Sequence, residues 1–246
     1  MTKLYANWKA PANIHGLTTS RCEGFSQPPY DKNNLALHVG DSIADVSLNR
    51  QQLSTELGLS MEPAWLEQIH SNLCVCVDEE PNRTADAAIT RNPGQPLAIL
   101  TADCLPILLC NQEGNEIAAI HAGWRGLVNG IVENTISKMQ SSPSQLMAWI
   151  GPAICQSCFE VGDEVLQIYE SRYTFSPQDF RRKGEKWHAN LPKLAERVLN
   201  NADVLAVYQS NACTFEQNNK FYSYRRQPQT GRMATLIWFN EKNWNK

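Results

Sequence analysis

Two apolar segments that follow one another closely, TADCLPILLC from Thr101 and AAIHAGWRGLVNG from Ala118, constrain the fold most. Each is predicted to contain a buried strand, because short continuous apolar runs bounded by turn residues are typical of strands inside a sheet. Each also carries a residue that can bind a metal or act as a nucleophile, Cys104 in the first and His121 in the second. We therefore expect the two strands to support a functional site as well as a core.

His70 is a third residue of the same kind, at the end of the apolar segment WLEQIHSNLCVCV. His70, Cys104 and His121 are separated by 34 and 17 positions, far more than the ligands of a zinc finger, so the fold has to bring them together. Two imidazoles and one thiolate form an incomplete tetrahedral set, which is the pattern of a catalytic zinc site that leaves one position for water or substrate. The sequence therefore predicts a metal site formed by His70, Cys104 and His121.

The composition is that of an ordinary globular protein, with 246 residues, 42% apolar and 19% charged. The net charge of −3 argues against a nucleic-acid-binding protein, which usually carries a basic excess. No segment approaches the roughly 18 apolar residues of a membrane span, and the N-terminus lacks the apolar segment of a secretory signal. A cytoplasmic location is the expectation, and there the eight cysteines are expected to remain thiols.

The apolar periodicity predicts an α+β fold of mixed sheets with helices packed on the outside, in a single catalytic domain that spans residues 1–246. A strand, a glycine-containing turn and a helix are expected in succession around His121. The predicted helices cover residues 43–57, 127–139, 162–172 and 191–201, with a polar linker between the last two. The predicted strands cover residues 4–8, 14–19, 65–70, 74–77, 85–90, 146–150, 204–208, 221–224 and 233–239, together with those of Cys104 and His121.

Four other features were weighed for function. Asp86 lies between alanines in an apolar strand, where a carboxylate needs a partner. Arg50 on the first helix is expected to face solvent or, less often, to bind an anion, and His38 in a long polar loop is expected to be solvated. The segment CQSC, which carries Cys155 and Cys158, has the spacing of a redox dithiol or of half a zinc knuckle, but a second cysteine pair at matching spacing is absent.

The strings TADCLPILL, HAGWRGLVNGIVENT, IGPAI with FEVGDEV, and FYSYRR with TGRMA strongly resemble a known family. That family is variously described as laccase-like polyphenol oxidases, purine nucleoside phosphorylases and peptidoglycan editing factors, and the resemblance runs from about Asn33 to Trp238. It implies a zinc-dependent enzyme whose metal ligands fall on His70, Cys104 and His121. It also implies phosphorolysis of adenosine, inosine and methylthioadenosine, with deamination of adenosine as a second activity.

The sequence departs from the family pattern at several positions. Ser71 and Cys155 stand where the family often has Gly, Asn190 where Asp is common, and Gln227-Pro228 where Asp-Gly is typical. None of these residues is one of the three implied ligands. The departures therefore bear on substrate preference more than on the metal.

Nucleoside chemistry at such a site requires a nucleophile, a proton carrier and cationic groups for phosphate. A zinc-bound water could attack adenine, and Asp103, beside Cys104, could relay the proton or serve as a structural anchor. Guanidinium groups match phosphate in a bidentate geometry, although Arg225 and Arg226 cannot both face the cleft from a regular strand. The predicted catalytic residues are Cys104, Asp103 and Arg50, and the predicted substrate- and phosphate-binding residues are Arg125, Arg225 and Arg226.

Three alternative functions remain open from the sequence. Cys104 could be a nucleophile activated by His121 or His70, in a hydrolase that cleaves an amide of a peptidoglycan precursor, and such an enzyme would survive chelation. Copper-dependent phenol oxidation would require more imidazole than the five histidines can supply. A non-enzymatic binding protein with a structural metal would provide four protein ligands and no open position. The expected partners in the first reading are a nucleoside and phosphate.

Overall fold

The computed structural model describes residues 2–174, 176 and 178–240, which form three sheets and five α-helices. The strands are β1 (Lys3–Tyr5), β2 (Ile14–Thr19), β3 (Ala64–Trp65), β4 (Cys74–Cys76), β5 (Ala87–Thr90), β6 (Leu97–Thr101), β7 (Leu105–Asn111), β8 (Ile117–Ala122), β9 (Leu146–Ile150), β10 (Glu160–Val161), β11 (Phe180–Lys183), β12 (Lys186–Ala189), β13 (Ala206–Gln209) and β14 (Met233–Phe239). The helices are α1 (Ile43–Leu57), α2 (Trp124–Val128), α3 (Ile131–Lys138), α4 (Asp163–Arg172) and α5 (Leu191–Asn201).

The two apolar segments that carry Cys104 and His121 form the central pair of a six-stranded sheet. Strands β7 and β8 are antiparallel, with Leu105 opposite Ala122 and Pro106 opposite His121. The strand order is β13-β9-β7-β8-β5-β4, with parallel pairs at both edges and antiparallel pairs in the middle. All residues of β7 and β8 are buried, which explains why neither segment shows the apolar-polar alternation of a half-exposed strand.

A second sheet, with the strand order β1-β2-β14-β6-β3, packs face to face on the first. Alternate residues of each central strand enter the layer between the sheets, and those on the opposite face pack under helices. Leu108 and Ala119 lie between the sheets, whereas Ile107 and Ile120 pack under α3 and α5. Helix α1 covers the outer face of the second sheet through Leu53. The predicted α+β fold with external helices is therefore confirmed.

Helix α1 begins and ends where the sequence predicts, because Ser42 caps it. The Ser42 hydroxyl accepts a hydrogen bond from the Asp45 backbone N–H, and Gly58 closes the helix in the left-handed conformation.

None of the described helices is long and apolar enough to cross a membrane.

Four element predictions were wrong. The helix expected over residues 127–139 is two helices, since Asn129 ends α2 and Gly130, with a φ of 89°, starts α3 in a new direction. The polar linker after α4 contains the hairpin β11-β12. Its exposed, charged residues obscure the alternation of apolar and polar residues by which a strand is recognised in sequence. Residues 221–224 are not a strand but begin a turn, and the strand expected over 65–70 is limited to β3.

Glu116, at the start of β8, is a buried carboxylate that fastens a turn to the sheet. It accepts hydrogen bonds from the backbone N–H groups of Gln140 and Ser141 at 2.8 and 2.9 Å, from the Ser141 hydroxyl at 2.7 Å and from Arg91 at 3.1 Å. Burial opposes ionisation of Glu116, but these donors outweigh it and hold the pKa of Glu116 below its usual value. The carboxylate therefore stabilises the folded state in its ionised form.

We expect Glu116→Gln to lower the free energy of unfolding by about 1–3 kcal/mol near neutral pH, because two backbone donors lose a charged acceptor. Since the folded pKa lies below the unfolded one, this contribution is complete above the unfolded pKa of about 4.3 and is lost as pH falls through the folded pKa. Urea unfolding at neutral and acidic pH measures the difference. The control is Glu113→Gln, an exposed glutamate in the connection between β7 and β8, and an equal effect of both variants would contradict the assignment.

Candidate metal centre and its cavity

The fold brings His70, Cys104 and His121 together from three separate parts of the chain. Their ligand atoms, one from each side chain, lie within 4.8 Å of one another, and the two imidazole rings meet edge to face with centroids 4.9 Å apart. Cys104 lies in the turn between β6 and β7, His121 lies in β8, and His70 lies in the loop after β3 with a φ of 59°. A thiolate and two imidazoles are ligands that zinc accepts, so the donor set fits that metal.

Asp86 is the buried residue that holds this arrangement, and its side chain is 0% exposed. One carboxylate oxygen accepts a hydrogen bond from His121 Nδ1 at 2.7 Å and another from the His70 backbone N–H at 3.0 Å. The other oxygen accepts from the Ser71 N–H and hydroxyl at 2.6 and 2.7 Å, and from the Ile69 N–H at 3.2 Å. Because Nδ1 of His121 is held by the carboxylate, Nε2 is the nitrogen left for a metal. The sequence analysis predicted that a buried Asp86 needs a partner, and its partners include the His121 ring and the His70 backbone N–H.

Cys104 and His121 form a tightly coupled pair. Burial alone would raise the pKa of the Cys104 thiol, but the two imidazoles outweigh it and lower that pKa to about 6. Burial would likewise lower the pKa of His121, but the Cys104 sulfur and the Asp86 carboxylate raise it to about 9. A thiolate beside an imidazolium is therefore favoured at neutral pH when no other cation is bound.

Gly123 allows the three side chains to approach one another. A Cβ at this position would lie 3.2 Å from Cys104 Sγ and 3.3 Å from His70 Cδ2. Gly126 has the same role toward the backbone, since its Cβ would meet the Ser71 carbonyl oxygen at 2.9 Å. The glycines of HAGWRG thus serve close packing around the candidate metal centre.

The three residues open onto a cavity of about 550 Å³. A volume of this size is usual for a small-molecule site. Its lining combines aromatic rings with guanidinium groups, a combination that suits a flat base and an anionic group. Besides the three residues and Gly123, the lining comprises His38, Gln68, Leu100, Thr101, Ala102, Asp103, Trp124, Arg125, Ile154, Phe159, Tyr224, Arg225 and Arg232.

Two of the four predicted arginines line the cavity. Arg125 is exposed on α2 and lies over the Trp124 ring, with 4.4 Å from Cζ to the ring centroid. Arg225 donates to the Glu160 carbonyl oxygen at 3.0 Å and lies over the Phe159 ring. Both guanidinium groups keep N–H donors available for a ligand, because these contacts use only some of the five N–H groups of each arginine side chain.

Arg50 and Arg226 are not among the described residues that line the cavity, so a catalytic role for Arg50 and phosphate binding by Arg226 stay predictions. Arg50 donates twice to the Leu35 carbonyl oxygen and stacks on Trp65, with 3.9 Å to the ring centroid. Arg226 donates to the carbonyl oxygens of Thr214, Phe215 and Phe221. Both side chains organise the backbone, and the expectation that Arg225 and Arg226 face different ways agrees with these contacts.

Asp103 lines the cavity, yet its carboxylate is engaged by the protein. It accepts hydrogen bonds from the Thr214 hydroxyl at 2.6 Å, the Ser223 hydroxyl at 2.9 Å and the Arg225 backbone N–H at 2.7 Å. Its backbone has a φ of 91°. These contacts match the anchoring role considered for Asp103, and a proton relay through it stays a prediction.

Sequence reasoning missed Arg232, whereas His38, which was expected to be solvated, is exposed and also lines the cavity. Arg232 lies in the string TGRMA and donates to the carbonyl oxygens of Thr230 and Gly231, with its guanidinium against Tyr224. Burial, together with Arg232 and Arg50, lowers the pKa of His38, so this histidine is neutral at pH 7. Arg232 could have been found in the sequence, because it belongs to TGRMA, one of the strings that resemble the family. Nothing in the loop around His38 marks that residue as part of a cavity.

A sequence model of the family described as "multi-copper polyphenol oxidoreductase laccase" matches residues 15–240. The chain belongs to this family. Family members with other names are similar over nearly their whole length. A Haemophilus influenzae protein named purine nucleoside phosphorylase is 42% identical over 97% of this chain and 100% of its own. The Escherichia coli protein named purine nucleoside phosphorylase YfiH is 40% identical over 97% of this chain and 99% of its own.

Solved structures of family members share the fold. A Neisseria meningitidis protein of 40% identity superposes with a TM-score of 0.92 over 98% of this chain and 100% of its own. YlmD from Geobacillus stearothermophilus, at 29% identity, has a TM-score of 0.86 over 94% of this chain and 93% of its own. The resemblance found in the motifs is thereby confirmed for the whole chain.

Proposed function

We propose that this protein is a zinc-dependent purine nucleoside phosphorylase, in one catalytic domain, that also deaminates adenosine. The observation that carries the proposal is the cluster of His70, Cys104 and His121, oriented by Asp86, at the end of a cavity lined by aromatic and guanidinium groups. The names of relatives with about 40% identity over nearly the whole chain point to the same substrates.

His70, Cys104 and His121 would hold the zinc ion, with Asp86 fixing the tautomer and direction of His121. A zinc ion held there would supply a Lewis acid, able to polarise a substrate oxygen or to lower the pKa of a water to about 7. A zinc ion held by three protein ligands would keep one position for water or substrate, as catalytic zinc sites do and structural ones do not.

The remaining lining residues bind and orient the substrates. Trp124, Phe159 and Tyr224 offer ring faces and edges to a purine. Arg125 and Arg225 bind phosphate and place its negative charge beside the sugar carbon, where positive charge develops as the base leaves. In this reaction the bond between sugar and base breaks, a phosphate oxygen bonds to the sugar carbon, and the proton lost by the attacking hydrogen phosphate passes to the base. His38, neutral at pH 7, offers one donor and one acceptor to the nucleoside.

Adenosine deamination replaces the amino group on the purine ring by oxygen from water and therefore requires a proton carrier for the leaving ammonia. Asp103 is the one carboxylate among the described residues that line the cavity. Product analysis on adenosine separates the two activities. We expect adenine and a sugar phosphate only when phosphate is present, and inosine with or without phosphate.

Arg125→Ala is expected to raise the KM for phosphate about tenfold or more and to change the thermal stability little. The guanidinium is exposed and packs on a ring at the cavity, so its removal takes away a charge-assisted contact without disturbing the core. Phosphate-dependent base release at varied phosphate concentration measures the effect. The control is Arg182→Ala, since Arg182 is also exposed and lies over a tryptophan, Trp187, on the hairpin β11-β12. A normal KM for phosphate in Arg125→Ala would remove this residue from the phosphate site.

A Cys–His hydrolase is the second candidate, because the thiolate–imidazolium pair of Cys104 and His121 is what a thiol nucleophile requires. Chelation separates the two functions. A hydrolase acting on a peptidoglycan precursor keeps its activity in chelator, whereas the zinc enzyme loses it. Copper-dependent phenol oxidation has less support, since only two of the five histidines belong to the cluster.

A further inference from the structure

A second cluster of potential metal ligands lies outside the cavity of the candidate metal centre. Cys155, Cys158, Cys213 and Glu216 each place one ligand atom within 4.8 Å of the other three. Glu216 Oε1 lies 3.6 Å from the sulfur of Cys155 and 3.6 Å from that of Cys158. A tetrahedral zinc ion with zinc–sulfur bonds of about 2.3 Å has neighbouring ligand atoms about 3.8 Å apart, and the two sulfur–oxygen separations of 3.6 Å are close to that value.

In the sequence, the four ligands form two pairs with short spacing, and the fold brings the two pairs together. Cys155 and Cys158 are three positions apart, and so are Cys213 and Glu216. A search for a second cysteine pair misses this set, because the second half supplies a carboxylate in place of a thiol. Both spacings are those with which tight turns present two ligands to one zinc ion.

Backbone hydrogen bonds hold the two halves against each other. Strands β9 and β13 are parallel neighbours, and the pairing continues beyond their ends as a bridge between Ala153 and Cys213. The Ala153 N–H donates to the Ala212 carbonyl oxygen at 3.2 Å, and the Thr214 N–H donates to the Ala153 carbonyl oxygen at 3.1 Å. The site is therefore largely formed before any metal binds.

Two polar groups lie against the sulfurs of the cluster. The Cys155 backbone N–H donates to the sulfur of Cys213 at 3.3 Å, and the Ser157 hydroxyl lies 3.0 Å from the sulfur of Cys155. An N–H donor aimed at sulfur stabilises its negative charge, as the surroundings of protein metal sites commonly do. Cys155 and Cys213 also line an adjoining cavity of about 620 Å³, whose wall includes the basic residues Arg181, Lys183 and Lys193.

We propose that Cys155, Cys158, Cys213 and Glu216 form a second, closed zinc site that braces one wall of the cavity of the candidate metal centre. Ile154, next to Cys155, lines that cavity, and Thr214, next to Cys213, donates its hydroxyl to Asp103. With four protein ligands the site leaves no position for substrate, so its role is structural. The proposal does not depend on nucleoside phosphorylase activity.

Differential alkylation of the wild-type chain tests the site without any substitution. The reduced, metal-free protein is treated with iodoacetamide before and after addition of zinc, and labelled cysteines are identified by mass spectrometry. We expect zinc to protect Cys155, Cys158 and Cys213, while Cys22, a partly exposed thiol outside the cluster, is labelled equally in both states. Equal labelling of Cys155 and Cys158 with and without zinc would overturn the proposal.

Zinc titration in a Cys104→Ser background separates the second site from the first. We expect this variant to retain one tightly bound zinc per chain and to show a thiolate-to-metal charge-transfer band when cobalt replaces zinc. Adding Cys158→Ser or Glu216→Gln should weaken that binding at least tenfold, whereas adding Cys22→Ser should not. Glu216 is exposed, so its substitution leaves the core intact. Absence of bound zinc in Cys104→Ser, or unchanged affinity after both cluster substitutions, would contradict the site whatever the enzyme's activity proves to be.

Discussion

Replacing Asp86 with alanine is expected to lower the free energy of unfolding by about 3–5 kcal/mol and to abolish zinc binding at His70, Cys104 and His121. The carboxylate is fully buried and accepts hydrogen bonds from three consecutive backbone N–H groups, from the Ser71 hydroxyl and from His121. Its removal leaves those donors unpaired in the interior and strips a buried imidazole of its charge partner. Denaturant unfolding and zinc titration measure the two losses.

Asp78→Ala is the matched control for this prediction. Asp78 also ties a neighbouring segment to β5, accepting from the Thr90 hydroxyl at 2.6 Å and the Arg91 N–H at 2.7 Å, but it is exposed. Its loss should change stability far less and leave zinc affinity unchanged. The milder Asp86→Asn should stay folded and bind zinc about 10–100-fold more weakly, because the amide no longer fixes the tautomer of His121. Wild-type zinc affinity in Asp86→Asn would show that Asp86 does not orient a ligand.

Replacing Cys104 with alanine is expected to reduce phosphate-dependent release of adenine from adenosine by at least about 100-fold while the protein stays folded. The sulfur is the only anionic ligand of the proposed zinc site, and loss of one strong electrostatic contact to the reacting atoms has effects of that size. The change removes a single sulfur atom at the edge of a cavity, so the core remains packed. Base release and thermal unfolding are measured on the same preparation.

Cys110→Ala provides the opposite control. Cys110 is fully buried between the two sheets, so its truncation should destabilise the protein modestly and leave adenine release unchanged. A binding protein with a structural metal predicts the reverse for Cys104→Ala, namely easier thermal unfolding with turnover retained. Wild-type base release by Cys104→Ala would end the proposal that this residue takes part in the chemistry.

The sequence predicts the core of this fold well, because the strands that form it are continuous and apolar. Strands β7, β8, β9 and β14 lie where the apolar runs predict them. Hairpin β11-β12 was missed because three of the four residues of β11 are exposed and charged, which leaves no alternation to detect. The division between α2 and α3 was missed because apolar residues continue across the break, and only Gly130 marks it.

The candidate site divides along similar lines. His70, Cys104 and His121 stand out in sequence because metal-binding side chains at the ends of apolar strands are conspicuous. The arginines of the site do not stand out in the sequence, because a guanidinium group can donate to a backbone carbonyl oxygen as readily as to a phosphate. Arg226 and Arg225 are adjacent in sequence, yet only Arg225 lines the cavity, because the turn after Tyr222 is anchored by Asp103. Local sequence patterns do not predict tertiary contacts of this kind.

The most direct test of the central claim is base release from adenosine by one preparation of the wild-type protein in three states: as purified, stripped by chelator, and restored with zinc. Metal content and thiolate ligation are measured in each state. We predict phosphate-dependent adenine release in the first and third states and its loss in the second, with recovery proportional to zinc bound at His70, Cys104 and His121. Undiminished release in the stripped protein, or recovery with copper and not with zinc, would contradict the account.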